Sequence, residues 1–178
     1  MSPVTELWIV TGVPGAGKTT VAPLLAQRFE RAAYIEGDAL QRWVVSGREW
    51  PREPLTEEAI RQIELSIRNQ CLLARSYAEA GFIPVIDYVV PSLDTLNAYR
   101  GYLSGAAIHL AVLAPTIDVA LERDRARASE IRSHWIRELH QRMRDELEGD
   151  GCHVDSSTLT PDETVDAVLA GREMALLR

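Results

Sequence analysis

The chain has 178 residues, enough for one domain with a sizeable core; 46% are hydrophobic and 25% charged, an ordinary balance for a globular protein. Its net charge of −7 and pI near 5.1 argue against a polynucleotide partner, which usually demands a basic surface. No apolar run approaches the roughly 18 residues needed to span a membrane, and residues 1–6 carry no signal-like stretch. Cys71 and Cys152 are too few and too far apart for a disulfide framework or a zinc site, so they read as buried thiols of a cytoplasmic protein.

The elements alternate along the chain. Leu7-Trp8-Ile9-Val10 is a short apolar run suited to a strand buried on both faces. A helix follows from Thr19 to Phe29, with Val21, Leu24, Leu25 and Phe29 on one side and Pro23 as a kinking position. Ala33-Tyr34-Ile35 is a weak second strand, and a short helix runs from Asp38 to Val45. Residues 46–55 hold Gly47, Pro51 and Pro54 and form a loop. Thr56 caps a long helix with Glu57 and Glu58 in its first turn and an expected apolar stripe of Ile60, Ile63, Ile67, Cys71 and Ala74; Gly81 ends it.

Phe82 to Ile86 is a third strand ending at Asp87, and Pro91-Ser92 opens a helix to about Tyr102. Ala107 to Leu113 is a fourth strand, followed by helices from Thr116 to about Arg127 and from Ser133 to Leu147. Gly149 and Gly151 mark a turn before a fifth strand, Cys152 to Asp155, and Thr160-Pro161-Asp162-Glu163 caps the last helix. Strands alternating with helices predict an α/β domain whose parallel sheet is covered on both faces.

Between the first strand and its helix lies Gly12-Val13-Pro14-Gly15-Ala16-Gly17-Lys18-Thr19, which fits the phosphate-binding pattern G-x-x-x-x-G-K-[ST] at every fixed position. Lys18 is the only lysine among 19 basic residues. A lysine is a compact point charge on a flexible stem, whereas arginine is a rigid planar fork poorly suited to a loop curled around a phosphate chain. Backbone N–H groups from Gly12 through Thr19, all but that of Pro14, which has none, would point at phosphate oxygens of ATP, with Thr20 beyond them. The helix N-terminus would add favourable partial charge. Lys18 would reach the β- and γ-phosphates, and the Thr19 hydroxyl would ligate Mg²⁺.

Ligands of open α/β sheets bind at the carboxyl ends of strands, where two carboxylates fall. Asp87 ends the third strand and would hold Mg²⁺ or its water, or else cap the following turn. Asp38, in Glu36-Gly37-Asp38-Ala39-Leu40, would face the γ-phosphate and take a proton from a substrate hydroxyl, or cap the short helix, or both.

The P-loop, the Gly-Asp-x-Leu segment after the second strand and the Asp ending the third together resemble the small-molecule kinases related to gluconate kinase and chloramphenicol phosphotransferase. The resemblance implies a three-layer P-loop kinase fold with a five-stranded parallel sheet in order 2-3-1-4-5 and a small helical lid. It spans the whole chain as one domain, with an acceptor segment over about 39–55 and a lid over about 124–136. In that group the Asp after the second strand is a base or substrate ligand, a role that would fall on Asp38. Gln41 and Arg42 stand where gluconate kinase would have His-Pro, and the Asp-Gly-[Phe/Tyr]-Pro-Arg segment of adenylate kinases is missing.

Seven arginines lie between Glu122 and Glu148, most of them interleaved with acids as on a solvated helix surface. Arg123 and Arg127 share a face by their i,i+4 spacing. The resemblance implies that the first packs on adenine and the second meets the transferring phosphate, with Arg125 and Arg132 as the alternatives. It also implies that residues 128–135 close over the site and that Ser156-Ser157-Thr158 borders the adenine. Trp43 and Trp50, with Arg48 and Arg52, lie in the acceptor segment and would line an aromatic pocket or else pack the core and cover a loop. Arg68 and Tyr88 are further candidates for that pocket, although Arg68 would equally pair with Glu64. The four histidines form no ligand spacing.

These residues predict an ATP- and Mg²⁺-dependent phosphotransferase acting on a hydroxyl of a small metabolite or antibiotic-like molecule. A toxin-like sugar-nucleotide kinase would share the site. An ATP-driven switch working through a protein partner is the alternative, and a GTPase is disfavoured because no lysine remains for a guanine-reading Asn-Lys-x-Asp.

Overall fold

A computed structural model describes residues 6–51, 54–126 and 133–177. Its five strands are β1 (Leu7–Thr11), β2 (Ala32–Glu36), β3 (Ile83–Asp87), β4 (Ile108–Leu113) and β5 (Cys152–Val154). They form one sheet in the order β2-β3-β1-β4-β5 with every pairing parallel, the order the kinase resemblance implied. Parallel neighbours need crossovers, and helices supply them: α1 (Lys18–Ala26), α2 (Gly37–Arg42), α3 (Glu57–Glu79), α4 (Leu93–Tyr102), α5 (Ile117–Ala126), α6 (Ser133–Glu146), α7 (Pro161–Ala170) and α8 (Arg172–Ala175).

The central strands are apolar because both faces are covered. All residues of β1 and β4 are buried, and the core continues through Val85, Ile86, Leu96, Tyr99, Leu121, Ile136 and Val165. Helix starts follow their caps. Thr56 accepts from Ala59 N, Ser92 from Thr95 N, and Thr160 forms a reciprocal capping box with Glu163.

Three expectations are corrected. Helix α1 runs through Pro23 and stops at Ala26, short of Phe29, which instead packs beside Trp8 with ring centroids 6.3 Å apart. Helix α2 ends at Arg42 rather than Val45. Ile60 is 52% exposed, and the inward face of α3 carries Gln62, Ser66 and Gln70 among Ala59, Ile67, Cys71 and Ala74. Gln62 is there because a loop lies against the helix and its backbone groups need partners, while Ser66 and Gln70 bond to Gly37 O, to each other and to Tyr99. Gln62 Nε2 donates to Gly47 O (2.8 Å), Glu49 N donates to Gln62 Oε1 (2.9 Å), and Gln41 Nε2 donates to Glu49 O (3.1 Å).

The short α8 and an antiparallel bridge between Leu176 and His109 close the amino edge of the sheet, where His109 stacks on Trp8 at 4.6 Å. No helix among the described residues is long and apolar enough to cross a membrane.

Candidate active site

The carboxyl ends of β1, β3 and β2 lie side by side, so the loops leaving them converge. The loop after β1 folds back on itself through Ala16 N donating to Val13 O (3.0 Å), and Gly17 at φ 99° starts α1, where Val21 N donates to Gly17 O (2.9 Å). Helix α5 lies directly against this loop: a Cβ at Gly15 would collide with the carbonyl of Ala120, and φ there is +81°. Lys18 is buried, and its Nζ donates to Gly12 O (3.0 Å) and Val13 O (3.2 Å), which holds the charge across the loop it would serve. Thr19 and Thr20 are exposed in the first turn of α1.

Asp87 ends β3 in register with Val10 of β1 and Glu36 of β2. Only 3% of it is exposed, and Tyr34 Oη donates to its Oδ2 at 3.1 Å. Burial pushes its carboxyl up to about 6, against the opposing pull of the nearby Lys18 charge and the Tyr34 hydroxyl. The Tyr34 hydroxyl is itself pushed up, first by burial and then by the Asp87 charge. A buried carboxylate near a hydroxyl-bearing helix start offers the hard oxygen donors that Mg²⁺ favours, and Mg²⁺ characteristically binds through one or two such groups together with phosphates. Among the described residues no group of three or more His, Cys, Asp or Glu side chains could hold a metal ion.

Asp38 is exposed in the first turn of α2. The helix is capped at Glu36 without a side-chain hydrogen bond, so Asp38 is not the cap. Among the described residues its carboxylate makes no hydrogen bond or ion pair, whereas neighbouring Glu36 is paired with Arg42 at 2.7 Å. Beneath it, a Cβ at Gly37 would collide with the Tyr88 ring and with Gln70 Nε2. A chain of buried hydrogen bonds supports this turn: Tyr99 Oη donates to Gln70 Oε1, Gln70 Nε2 to Ser66 Oγ (3.1 Å), and Ser66 Oγ to Gly37 O (3.5 Å).

The expected acceptor residues are not gathered into one pocket. Tyr88 is buried under Gly37, and burial first, then the Asp38 charge, pushes its hydroxyl up to about 12; it supports the Asp38 turn. Arg68 lies on the exposed side of α3, opposite the face that carries Ser66 and Gln70. Trp43 is 70% exposed. Trp50 lines a shallow hollow of about 280 Å³ with Arg48, Glu49, Pro54, Thr56 and Ala59, and the Arg48 guanidinium lies 5.2 Å from its ring centroid.

On the other flank, Arg123 Nη2 donates to Ser156 O (3.0 Å) and Ser157 O (3.5 Å). The turn after β5 is stitched by Ser157 N to Asp155 Oδ1 (2.9 Å) and Thr116 N to Ser157 Oγ (2.8 Å). Ser156 is 3% exposed, and its Oγ has no hydrogen-bond partner among the described residues. Arg125 is exposed at the end of α5. Arg52, Arg127, Arg132 and the expected lid core lie outside the described residues.

Sequence reasoning missed the Tyr34–Asp87 contact, the Glu36–Arg42 pair and the glutamines that hold the 47–49 loop. The first was within reach, since alternation in β2 puts Tyr34 on the face of Glu36.

Comparison with known proteins agrees with this geometry. Residues 7–149 match the family model described as AAA domain. The chain belongs to that family. It is 29% identical over 171 residues to a probable adenylyl-sulfate kinase of Pyrococcus abyssi, covering 92% of this chain and 91% of the relative. Among solved structures, a gluconokinase from Sinorhizobium meliloti 1021 superposes with TM-score 0.68 at 22% identity, covering 97% of this chain and 95% of the other. The Deinococcus radiodurans tunicamycin resistance protein superposes with TM-score 0.67 at 17% identity, covering 98% of each chain. The resemblance to P-loop small-molecule kinases read from the sequence is borne out by these relatives.

Proposed function

We propose that the protein transfers the γ-phosphoryl group of ATP to a hydroxyl group of a small molecule. The observation that carries this reading is the exposed Asp38 carboxylate, which has no partner among the described residues and stands on the strand edge that bears Lys18 and Asp87. A capping or ion-paired aspartate would be spent on structure, whereas this one is open to an acceptor.

In this reading backbone N–H groups of the loop over residues 12–19, Pro14 having none to give and Ala16 N being held by Val13 O, cradle the phosphates, and Lys18 moves from its carbonyl partners onto the β- and γ-phosphates. Thr19 and Asp87 are the residues that would hold Mg²⁺, whose chemistry is to neutralise charge on the phosphate oxygens. Asp38 orients the acceptor hydroxyl and accepts its proton as the oxygen attacks phosphorus. Arg123 and the buried Ser156 hydroxyl flank the adenine, and an unpartnered buried hydroxyl is costly enough to favour a ligand that completes it. Arg127 is proposed to meet the transferring phosphoryl group, and residues 124–136 to close over it and exclude water. Trp50 and Arg48 are the proposed outer wall for the acceptor.

Phosphorus NMR of the protein with ATP, Mg²⁺ and pooled hydroxyl compounds tests the reading. The pool spans sugars, nucleosides, adenylyl sulfate, and aminoglycoside, nucleoside and phenicol antibiotics; adenylyl sulfate is included because of the relatives' names. A new phosphate-ester resonance is expected. ADP and free phosphate alone, across the full pool, would favour an ATPase instead, and a nucleotide-driven change in protein partner binding without any ester would favour a switch.

A further inference from the structure

We infer that Tyr34 is a positioning residue: its hydroxyl holds one oxygen of Asp87 and thereby presents the other to the cation that accompanies the nucleotide. The inference deepens the proposed function and rests on its assignment of Asp87 to the metal.

The sheet register carries the argument. Tyr34 pairs with Val85 and Glu36 pairs with Asp87 across the parallel β2–β3 ladder, so Tyr34, Glu36, Val85 and Asp87 share one face. Tyr34 therefore starts two residues, about 6.6 Å, below the level of Asp87. A tyrosine leaning along its strand spans that gap and sets its hydroxyl at the carboxyl edge, 3.1 Å from Asp87 Oδ2. A phenylalanine would occupy the same space and stop short.

The hydroxyl is used nowhere else among the described residues, and Tyr34 lies outside the hydrophobic core, with 36% of its surface exposed. A carboxylate on a strand end still rotates about its terminal torsion, a broad two-fold well. Fixing Oδ2 toward the outer strand removes that freedom. Oδ1 makes no hydrogen bond among the described residues and is the oxygen left for the cation or its water. Such outer partners set the orientation and basicity of a metal-facing group.

The test measures binding of the β,γ-imido analogue of ATP by calorimetry, first in EDTA and then across a Mg²⁺ series, with bound Mn²⁺ read by electron paramagnetic resonance. Wild type is expected to gain affinity with Mg²⁺. Tyr34→Phe is expected to bind the analogue in EDTA within about 2-fold of wild type while losing about 10-fold of the metal-dependent gain. Asp87→Asn should lose the gain as well, and the double variant should be no worse than Asp87→Asn, because the two act through one carboxylate. A Tyr34→Phe protein that keeps the full gain while Asp87→Asn loses it would overturn this inference and leave the metal assignment standing. Equal loss in EDTA and in Mg²⁺ would reduce Tyr34 to a structural residue and overturn it too. Absence of any metal-dependent gain in wild type would bring down both.

Discussion

Arg123 and Ser156 are joined by a hydrogen bond of 3.0 Å from the guanidinium to the backbone carbonyl, and this ties α5 to the turn after β5. The same helix lies against the P-loop at Gly15, so one element fixes the spacing between the phosphate cradle and the flank assigned to adenine.

Removing this guanidinium should therefore weaken nucleotide binding more than chemistry. Arg123→Ala is expected to raise the KM for ATP about 10-fold with kcat within about 3-fold of wild type, in line with loss of binding shared by ground and transition states. Arg123→Lys should rescue little, because an ammonium lacks the planar fork that stacks on a base. Steady-state kinetics on the acceptor found by NMR would check both, and a fall confined to kcat would show that Arg123 meets the reacting phosphate instead.

Gly37 is the hinge between β2 and the Asp38 turn, and its missing side chain is what admits the Tyr88 ring and Gln70 from below. Gly37→Ala should overpack that junction, costing about 1–3 kcal/mol of stability. It should also lower kcat more than it raises the KM for ATP, since the turn that carries Asp38 is displaced and the P-loop is not. Chemical denaturation together with kinetics separates the two effects. A variant as stable and as active as wild type would mean the junction is looser than its contacts indicate.

Much of this arrangement was legible in the sequence, and what was not has a common physical cause. The P-loop and the caps at Thr56, Ser92 and Thr160 depend on residues close in the chain, and their signals are local. The inward face of α3 is legible at Ile67, Cys71 and Ala74 but not at Gln62, Ser66 and Gln70, which look like a polar interruption of an apolar stripe. They are buried because of groups 13 to 29 residues away in sequence: the 47–49 loop backbone, Gly37 O and Tyr99. Tyr88, a further candidate for the acceptor pocket, lies one step beyond a strand-end carboxylate and so faces the other way, beneath Gly37. Trp50 and Arg48 were legible as candidates for the proposed acceptor wall, but the course of their loop was not: it is set by side-chain hydrogen bonds from α2 and α3, which no period in the sequence encodes.

Asp87 illustrates a site held at the expense of stability. Its carboxyl titrates near 3.8 in an unfolded chain and about 6 in the folded protein, with burial as the main cause. Between these values the folded state binds more protons than the unfolded state, so nucleotide-free stability falls as pH rises from about 4 to about 6 and stays at the lower level above that. The full cost at pH 7 is on the order of 2–3 kcal/mol. Asp87→Asn is expected to recover part of it, raising the melting temperature of the nucleotide-free protein at pH 7.5 and flattening its pH dependence between 4 and 6, while abolishing the Mg²⁺-dependent gain in nucleotide affinity. Thermal melts over that pH range, with and without nucleotide, would check it, and an Asp87→Asn protein less stable than wild type at pH 7.5 would contradict it.

Asp38 makes the opposite prediction, because it is exposed and no hydrogen bond or ion pair among the described residues depends on it. Asp38→Asn should leave the melting temperature unchanged within about 1 °C, as expected of a surface change away from caps and ion pairs. ATP affinity should also be retained, since the proposed phosphate contacts come from the P-loop and Lys18 and not from Asp38. Turnover with the hydroxyl acceptor should fall by about 10²–10⁴-fold, the range for losing a positioned general base. Raising the pH should recover part of the lost rate if the acceptor hydroxyl then ionises without help, which distinguishes a lost base from a lost hydrogen-bond acceptor. Calorimetry with ATP and single-turnover phosphoryl transfer measure the two quantities separately. Wild-type turnover in the variant would remove Asp38 from the reaction and leave the strand edge with Asp87 and Lys18 alone, the equipment of a nucleotide-hydrolysing switch rather than a kinase.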